Sequence, residues 1–289
     1  MKEFSLDYLR CIKCDSKLEL NVFKKKSEIE EGLLECSNCD ALYPIIEKIP
    51  ILWNDFSNYI TNRRLLGARL VNSVSSQMKI FLKNSMNKNG KNIEDRTKLE
   101  ERWTSIYQKS TRSRFYSTIR KSLRTLPNSK IVLEYGCSIG KMTSFLADSS
   151  QIVFGVDRSF SAIKVATREY KENLDYFVAD SLSPIFGKTK FDLIVALNIL
   201  DLVEPMDLLR QISAQIPRGF LLISDPYDND RGKNSVKKPL DENTLRENLK
   251  NLKFKIIQNT KNPSSISWNL KLNPRTKLNY KVDLVVAKK

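Results

Sequence analysis

The chain has 289 residues, 41% of them hydrophobic, and sets 49 lysines and arginines against 33 aspartates and glutamates for a net charge of +16, with no histidine. That length and apolar content allow one or two domains with a sizeable core, and the missing histidine removes the usual general base and the usual nitrogen ligand of zinc. No apolar run is long enough to span a bilayer and Met1–Arg10 lacks a signal-peptide profile, so a soluble, cytoplasmic protein without a membrane partner is expected.

Residues 1–55 hold four of the five cysteines, as Cys11-x-x-Cys14 and Cys36-x-x-Cys39. Two such pairs separated by 21 residues suit a four-thiolate tetrahedral zinc site, with each pair on a tight turn and a hairpin between them. Two disulfides and two redox motifs are the alternatives. The first is disfavoured in a chain without a secretion signal, and the second wants a βαβ pattern that is absent here. After the second pair comes Ala41-Leu42-Tyr43-Pro44-Ile45-Ile46-Glu47-Lys48-Ile49-Pro50-Ile51-Leu52. From Leu6 to about Trp53 the segment resembles the Trm112-like zinc-ribbon family, in which a cysteine knuckle precedes Tyr-Pro-Ile and an Ile-Pro-hydrophobic run. The resemblance implies a module that stabilises or activates a methyltransferase. In a domain this small the metal would supply much of the folding free energy.

Residues 56–130 read as helical and carry 17 basic against 4 acidic side chains. Leu66, Leu70, Val74, Met78 and Phe81 recur at three- and four-residue steps as one apolar stripe, and Asn84–Asn92, with Gly90, reads as a loop. A second region places Leu99, Trp103, Ile106 and Tyr107, then Phe115, Ile119, Leu123 and Leu126, among Arg102, Lys109, Arg112, Arg114, Arg120, Lys121 and Arg124. Pro127 ends it. Trp103 and Tyr107 are expected to pack on the following domain or to line a substrate cleft. The basic excess suits RNA, an acidic partner or a membrane surface, or simply solvates the helices.

From Ile131 strands and helices alternate, which predicts an α/β fold with a doubly wound parallel sheet. Ile131–Tyr135 is a buried strand feeding a turn with Gly136 and Gly140 and then a helix over Met142–Asp148. The strand Gln151–Val156 leads to Asp157, which is 21 residues after Gly136, and Ser159 is placed to cap the next helix. Leu174–Ala179 leads to Asp180-Ser181, Phe191–Leu197 to Asn198, and Phe220–Ser224 to Asp225-Pro226-Tyr227-Asp228-Asn229-Asp230, with a loop running to about Leu240. Leu252–Thr260 and Tyr280–Lys288 read as two late strands.

These residues, over roughly Ile131 to Lys289, resemble the class I S-adenosylmethionine-dependent methyltransferases. The resemblance implies a Rossmann-like methyltransferase sheet over 131–289, behind the zinc-ribbon module of 1–55 and a basic helical linker over 56–130. It implies S-adenosylmethionine as cofactor beside the zinc. Glu134, Gly136 and Gly140 would wrap its methionine part, Asp157 would take the ribose, and Asp180 with Ser181 the adenine edge, with Cys137, Arg158 and Asn198 as further cofactor-binding candidates. The family's frequent middle glycine is Ser138 here, a small enough residue to be tolerated. Ligands of open α/β sheets gather at the carboxyl ends of strands, so Asp225, Tyr227 and Asp228 are the candidate catalytic residues; a solvated turn is the plain alternative. The Asp-Pro-Tyr-Asp string, with Trp268 and Arg275, resembles a carnosine-N-methyltransferase-like group acting on small amines or imidazoles. Asn198-Ile199-Leu200 stands where amino-group nucleic-acid enzymes carry Asn/Asp-Pro-Pro-Tyr/Phe, and the Pro-Cys pair of cytosine-C5 enzymes is missing. The acidic loop favours a small-molecule or peptide acceptor. RNA held by the basic helices, an inactive methyltransferase-like binding protein and a nicotinamide-dependent oxidoreductase are the rivals.

Overall fold

The computed structural model describes residues 1–86, 95–231, 235–257 and 260–289. In chain order these form β1 (Glu19–Lys25), β2 (Ile29–Glu35), β3 (Leu42–Ile46), β4 (Ile49–Leu52), α1 (Phe56–Thr61), α2 (Arg64–Ser73), α3 (Ser76–Met86), α4 (Arg96–Lys109) and α5 (Arg114–Arg124). Then come β5 (Ile131–Tyr135), α6 (Lys141–Ala147), β6 (Ile152–Asp157), α7 (Phe160–Ala166), β7 (Leu174–Ala179), β8 (Leu193–Leu197), α8 (Pro205–Gln215) and β9 (Phe220–Asp225). The chain closes with α9 (Glu242–Asn251), β10 (Lys255–Ile257), β11 (Ile266–Lys271) and β12 (Lys277–Lys288). It divides into two compact units, Met1–Thr104 with Asp157–Arg168 and Asp175–Gly187, and Ser105–Val156 with Glu169–Leu174 and Lys188–Lys289.

In the first unit, β1 to β4 form an antiparallel meander. The hairpin between β3 and β4 turns on Glu47 and Lys48, at φ 50° and 71°, the two left-handed residues that a two-residue primed turn requires. All four residues of β4 are buried. The strand pairs in parallel with β7, Ile51 opposite Val178 and Leu52 opposite Ala179, so the cysteine-bearing segment is hydrogen-bonded to the strand that leads into Asp180. The apolar stripe expected over Leu66–Phe81 is divided between two helices. Val74 is extended, at φ −99° and ψ 166°, and Ser75 precedes α3, its Oγ accepting from Met78 N–H. The run Ser73-Val74-Ser75-Ser76 holds residues that lose side-chain freedom in a helix or compete for its hydrogen bonds, which accounts for the break. Leu66 and Leu70 are buried on α2, Met78 and Leu82 on α3, while Leu99, read as a core position, is 51% exposed. The expected loop Asn84–Asn92 begins as the end of α3 and otherwise lies outside the described residues.

In the second unit the strand order is β6-β5-β8-β9-β12-β10. The first four strands are mutually parallel, and β12 runs antiparallel between β9 and β10. Strands covered on both faces need near-continuous apolar runs, which Ile131–Tyr135, with Glu134 as its one polar residue, Leu193–Leu197 and Phe220–Ile223 supply. The late strands pair as expected, although β10 is shorter than the run Leu252–Thr260, of which Gln258 and Asn259 lie outside the described residues. An additional strand, β11, pairs with the first half of β12. Arg246 of α9 and Asp283 of β12 form a buried two-point ion pair, Nη1–Oδ2 2.6 Å and Nη2–Oδ1 3.1 Å.

Candidate functional site

The turn after β5 is built by backbone conformation. Gly136, Ser138 and Gly140 have φ of 67°, 49° and 72°, so every second residue lies in the left-handed region. A serine there costs about 1–2 kcal/mol, and strain of this kind gathers at ligand sites. Cys137 N–H donates to Val156 O at 3.0 Å, and Gly140 N–H to Cys137 O at 2.9 Å, which ties the turn to the end of β6 and closes it onto α6. A Cβ on Gly136 would come within 2.9 Å of Ile199 Cδ1, so the turn closely approaches the segment after β8. Glu134 is 2% exposed, and its Oε2 accepts from Thr143 Oγ1 of α6. Cys137 is buried.

Acids at three strand ends share one local device, in which the carboxylate accepts the backbone N–H two residues on. Ser159 N–H donates to Asp157 Oδ1 at 2.8 Å, Leu182 N–H to Asp180 Oδ1 at 2.9 Å, and Tyr227 N–H to Asp225 Oδ1 at 2.9 Å. Asp157, Arg158, Asp180 and Ser181 belong to the first unit, where Ser159 caps α7 as expected. Arg158 O accepts from the Tyr59 hydroxyl at 3.1 Å, and Tyr59 is braced by the Arg63 guanidinium 3.8 Å from its ring centre. Arg63 is held in turn by Glu100. Helices of the basic segment thus fix the residue that follows Asp157.

In the second unit, Asn198 adopts φ 56°, donates its backbone N–H to Ser224 O and accepts from Ser224 Oγ. Asp225 is 1% exposed and its Oδ2 accepts from Leu200 N–H, so both of its oxygens organise backbone. Tyr227, at φ 52°, donates its hydroxyl to Asp283 Oδ2 at 3.0 Å, and burial raises its pKa well above the usual value. Asp228 lies beside the Tyr280 hydroxyl, which burial foremost and this carboxylate next push up to about 12.

A residue that sequence reasoning passed over stands at the centre of this group. Asp201, three residues after Asn198, is 3% exposed. Burial foremost, then the neighbouring Asp225, raises its pKa, and burial raises that of Asp225 as well. Arg231 Nη1 comes within 3.0 Å of Asp201 Oδ2, at angles that make an ion pair but no hydrogen bond. The same guanidinium lies 5.9 Å from the Trp268 ring centre and 5.6 Å from that of Tyr280. Tyr107 stacks on Trp268 at 6.2 Å and 6°, and Phe115 packs at 5.6 Å. Tyr107 therefore packs into the second unit. Arg275, expected alongside Trp268, is exposed in the turn between β11 and β12, and the guanidinium that meets Trp268 is that of Arg231. The acidic Asn198–Asp201 and Asp225–Asp230 loops both sit at strand ends, which is the signal that could have found Asp201.

The cysteine segment gathers its four thiols. The Sγ atoms of Cys11, Cys14, Cys36 and Cys39 all lie within 4.8 Å of one another, with Cys11–Cys39 and Cys14–Cys39 at 3.5 Å and Cys14–Cys36 at 3.4 Å. A tetrahedral zinc with Zn–S of about 2.3 Å has S···S edges of about 3.8 Å, so the donor set fits that ion. All four are free thiols, against the disulfide alternative. The Tyr43 hydroxyl lies 3.3 Å from Cys11 Sγ. Among the described residues no helix is long and apolar enough to cross a membrane.

Residues 107–270 match the family described as methyltransferase domain. No curated protein matches the sequence. Among solved structures, magnesium protoporphyrin IX methyltransferase from Synechocystis PCC 6803, with bound S-adenosylhomocysteine, is similar at 17% identity and TM-score 0.50, over 67% of this chain and 94% of that one. The N-methyltransferase NodS from Bradyrhizobium japonicum WM9, also with S-adenosylhomocysteine, gives 17% and 0.50 over 67% and 97%. The complex between the Haloferax volcanii Trm112 methyltransferase activator and a methyltransferase gives 15% and 0.51 over 67% and 96%.

Proposed function

Because the chain belongs to the methyltransferase-domain family and is an S-adenosylmethionine-dependent methyltransferase of class I, we propose that it methylates a small-molecule or peptide acceptor at nitrogen or oxygen. The observation that carries this is the acidic, aromatic surround of the strand ends in the second unit, which would repel phosphates and hold a compact acceptor. Glu134, Gly136, Cys137 and Gly140 would hold the methionine part of the cofactor, Asp157 with Arg158 the ribose, Asp180 with Ser181 the adenine edge, and Asn198 would close the set. The fit rests on the left-handed turn, which brings backbone rather than side chain to the ligand, and on carboxylates already oriented by their own N–H bonds. When bound, the cofactor supplies an activated methyl group. Asp225 and Tyr227 would shape the acceptor side through Leu200 and Asp283, and Asp228 would face it.

Residues 1–55 act, in this reading, as a zinc ribbon of the Trm112-like kind, 56–130 as a basic helical linker, and 131–289 as the methyltransferase domain. The parallel pairing of β4 with β7 supports a ribbon that stabilises the Asp180 strand from within the same chain.

Calorimetric titration of S-adenosylhomocysteine tests the cofactor assignment. Two hydrogen bonds to a charged acceptor are worth roughly 1.5–3 kcal/mol each, so Asp157→Ala should weaken binding about tenfold or more while the fold survives. Unchanged affinity removes Asp157 from the site. A second reading, RNA as acceptor, is favoured by the exposed Arg112, Arg114, Lys121 and Arg124 around α5. RNA binding that falls steeply with salt, and less steeply after Arg112→Gln and Arg114→Gln, would support it over the small acceptor.

A further inference from the structure

Trp268 Nε1 is buried and makes no hydrogen bond of regular geometry, although the Tyr116 phenol is near it. In the same cluster both oxygens of Asp201 are buried and accept no hydrogen bond. A finished core rarely leaves buried polar groups without a regular hydrogen bond, and each such group calls for an explanation. Among the described residues, Asp201, Asp225 and Asp228 share the guanidinium of Arg231, which already lies over the faces of Trp268 and Tyr280. Aromatic faces and carboxylates together bind cations.

We propose that the cluster of Asp201, Asp228, Trp268 and Tyr280 is the acceptor subsite and that it takes a protonated aliphatic amine, with Asp201 receiving the proton the amine must lose. This rests on the methyltransferase reading above and names its acceptor class. An ammonium N–H would meet Asp201 Oδ1, beside the Oδ2 that Arg231 pairs, and an acceptor atom beside the amine would meet Trp268 Nε1–H. After the proton passes from nitrogen to an Asp201 oxygen, the nitrogen lone pair forms the new N–CH3 bond. The S–CH3 bond of the donor breaks, and its electron pair stays on sulfur as the thioether. Asp225 cannot play this part, because Leu200 N–H and Tyr227 N–H occupy its oxygens. Once ionised, above about pH 8, Asp201 is a stronger base than an ordinary carboxylate, which suits it to receive the proton. Tyr116 feels the charge of Glu134 and lies against Trp268, so the subsite adjoins the end of β5.

The test uses the full chain with S-adenosylhomocysteine and three probes of one shape, titrated by calorimetry: tyramine, 4-ethylphenol and 3-(4-hydroxyphenyl)propionate. Tyramine should bind roughly tenfold tighter than the other two, a charge-assisted bond being sufficient for that ratio. Asp201→Asn, which keeps size and shape, should erase the preference with an unchanged circular dichroism spectrum. Trp268→Phe should weaken tyramine binding. With labelled donor, the methyl group should appear on the tyramine nitrogen. Preference for the propionate would make Arg231 an anion anchor and overturn the inference, as would equal binding, or no binding, of all three while S-adenosylhomocysteine still binds. Failure of S-adenosylhomocysteine itself to bind would instead overturn the methyltransferase reading beneath it.

Discussion

A carboxyl taken out of water beside two others holds its proton more tightly than in the unfolded chain, and Asp201 is in that position. The folded state then keeps a proton that the unfolded state releases. The stability of the fold is full below the ordinary aspartate pKa of about 4, and it declines as pH rises toward about 8, the folded value. Asp201→Asn removes the titration, so the variant should lose less thermal stability than the parent between pH 5 and pH 8. Parallel curves for the two proteins in thermal melts would show that Asp201 is not charged at a cost. The strand-end places of Asp157 and Asp180 were legible because each stands where an apolar run ends in the sequence. Asp201 was less so, because it stands four residues beyond the end of β8, and only the fold brings Leu200 N–H to Asp225. Arg275 and Arg231 illustrate the same limit: both are near aromatic residues in sequence or space, and only tertiary placement decides which one meets Trp268.

Among the elements, the parallel strands were readable almost to the residue, since burial on both faces leaves no room for polar alternation. The helices of 56–130 were readable as helices but not as separate ones, because the three- and four-residue spacing of Leu66, Leu70, Met78 and Phe81 survives a break at Val74. β11 was passed over although Ile266, Trp268 and Leu270 alternate with Ser267, Asn269 and Lys271 as in a strand with one buried face, and it pairs with β12. Attachment of α9 to β12 depends on Arg246, which also donates to the carbonyls of Glu242, Thr260 and Lys261. Arg246→Ala would leave Asp283 buried without its cation and strip Tyr227 of a firm anchor. A loss of about 3–5 kcal/mol in denaturant unfolding is expected. A loss below about 1 kcal/mol would show that the pair is replaced by solvent.

For the whole molecule, the four-cysteine segment makes a plain prediction: about one equivalent of zinc per chain by metal analysis, lost when Cys36 and Cys39 are both changed to Ser. A metal-free protein with the ribbon intact would end the zinc reading. The pairing of β4 with β7 gives metal loss a second effect. If the ribbon unfolds when chelated, Ile51 and Leu52 leave Val178 and Ala179, and β7 presents an unsatisfied row of N–H and C=O groups flanked by apolar side chains. Such an open edge is a template for another chain. A chelator should therefore raise light scattering before it lowers helical content, and restoring zinc promptly should reverse it. On this account a zinc held there would guard colloidal solubility: the segment would be a stopper on a strand that otherwise recruits its own copies.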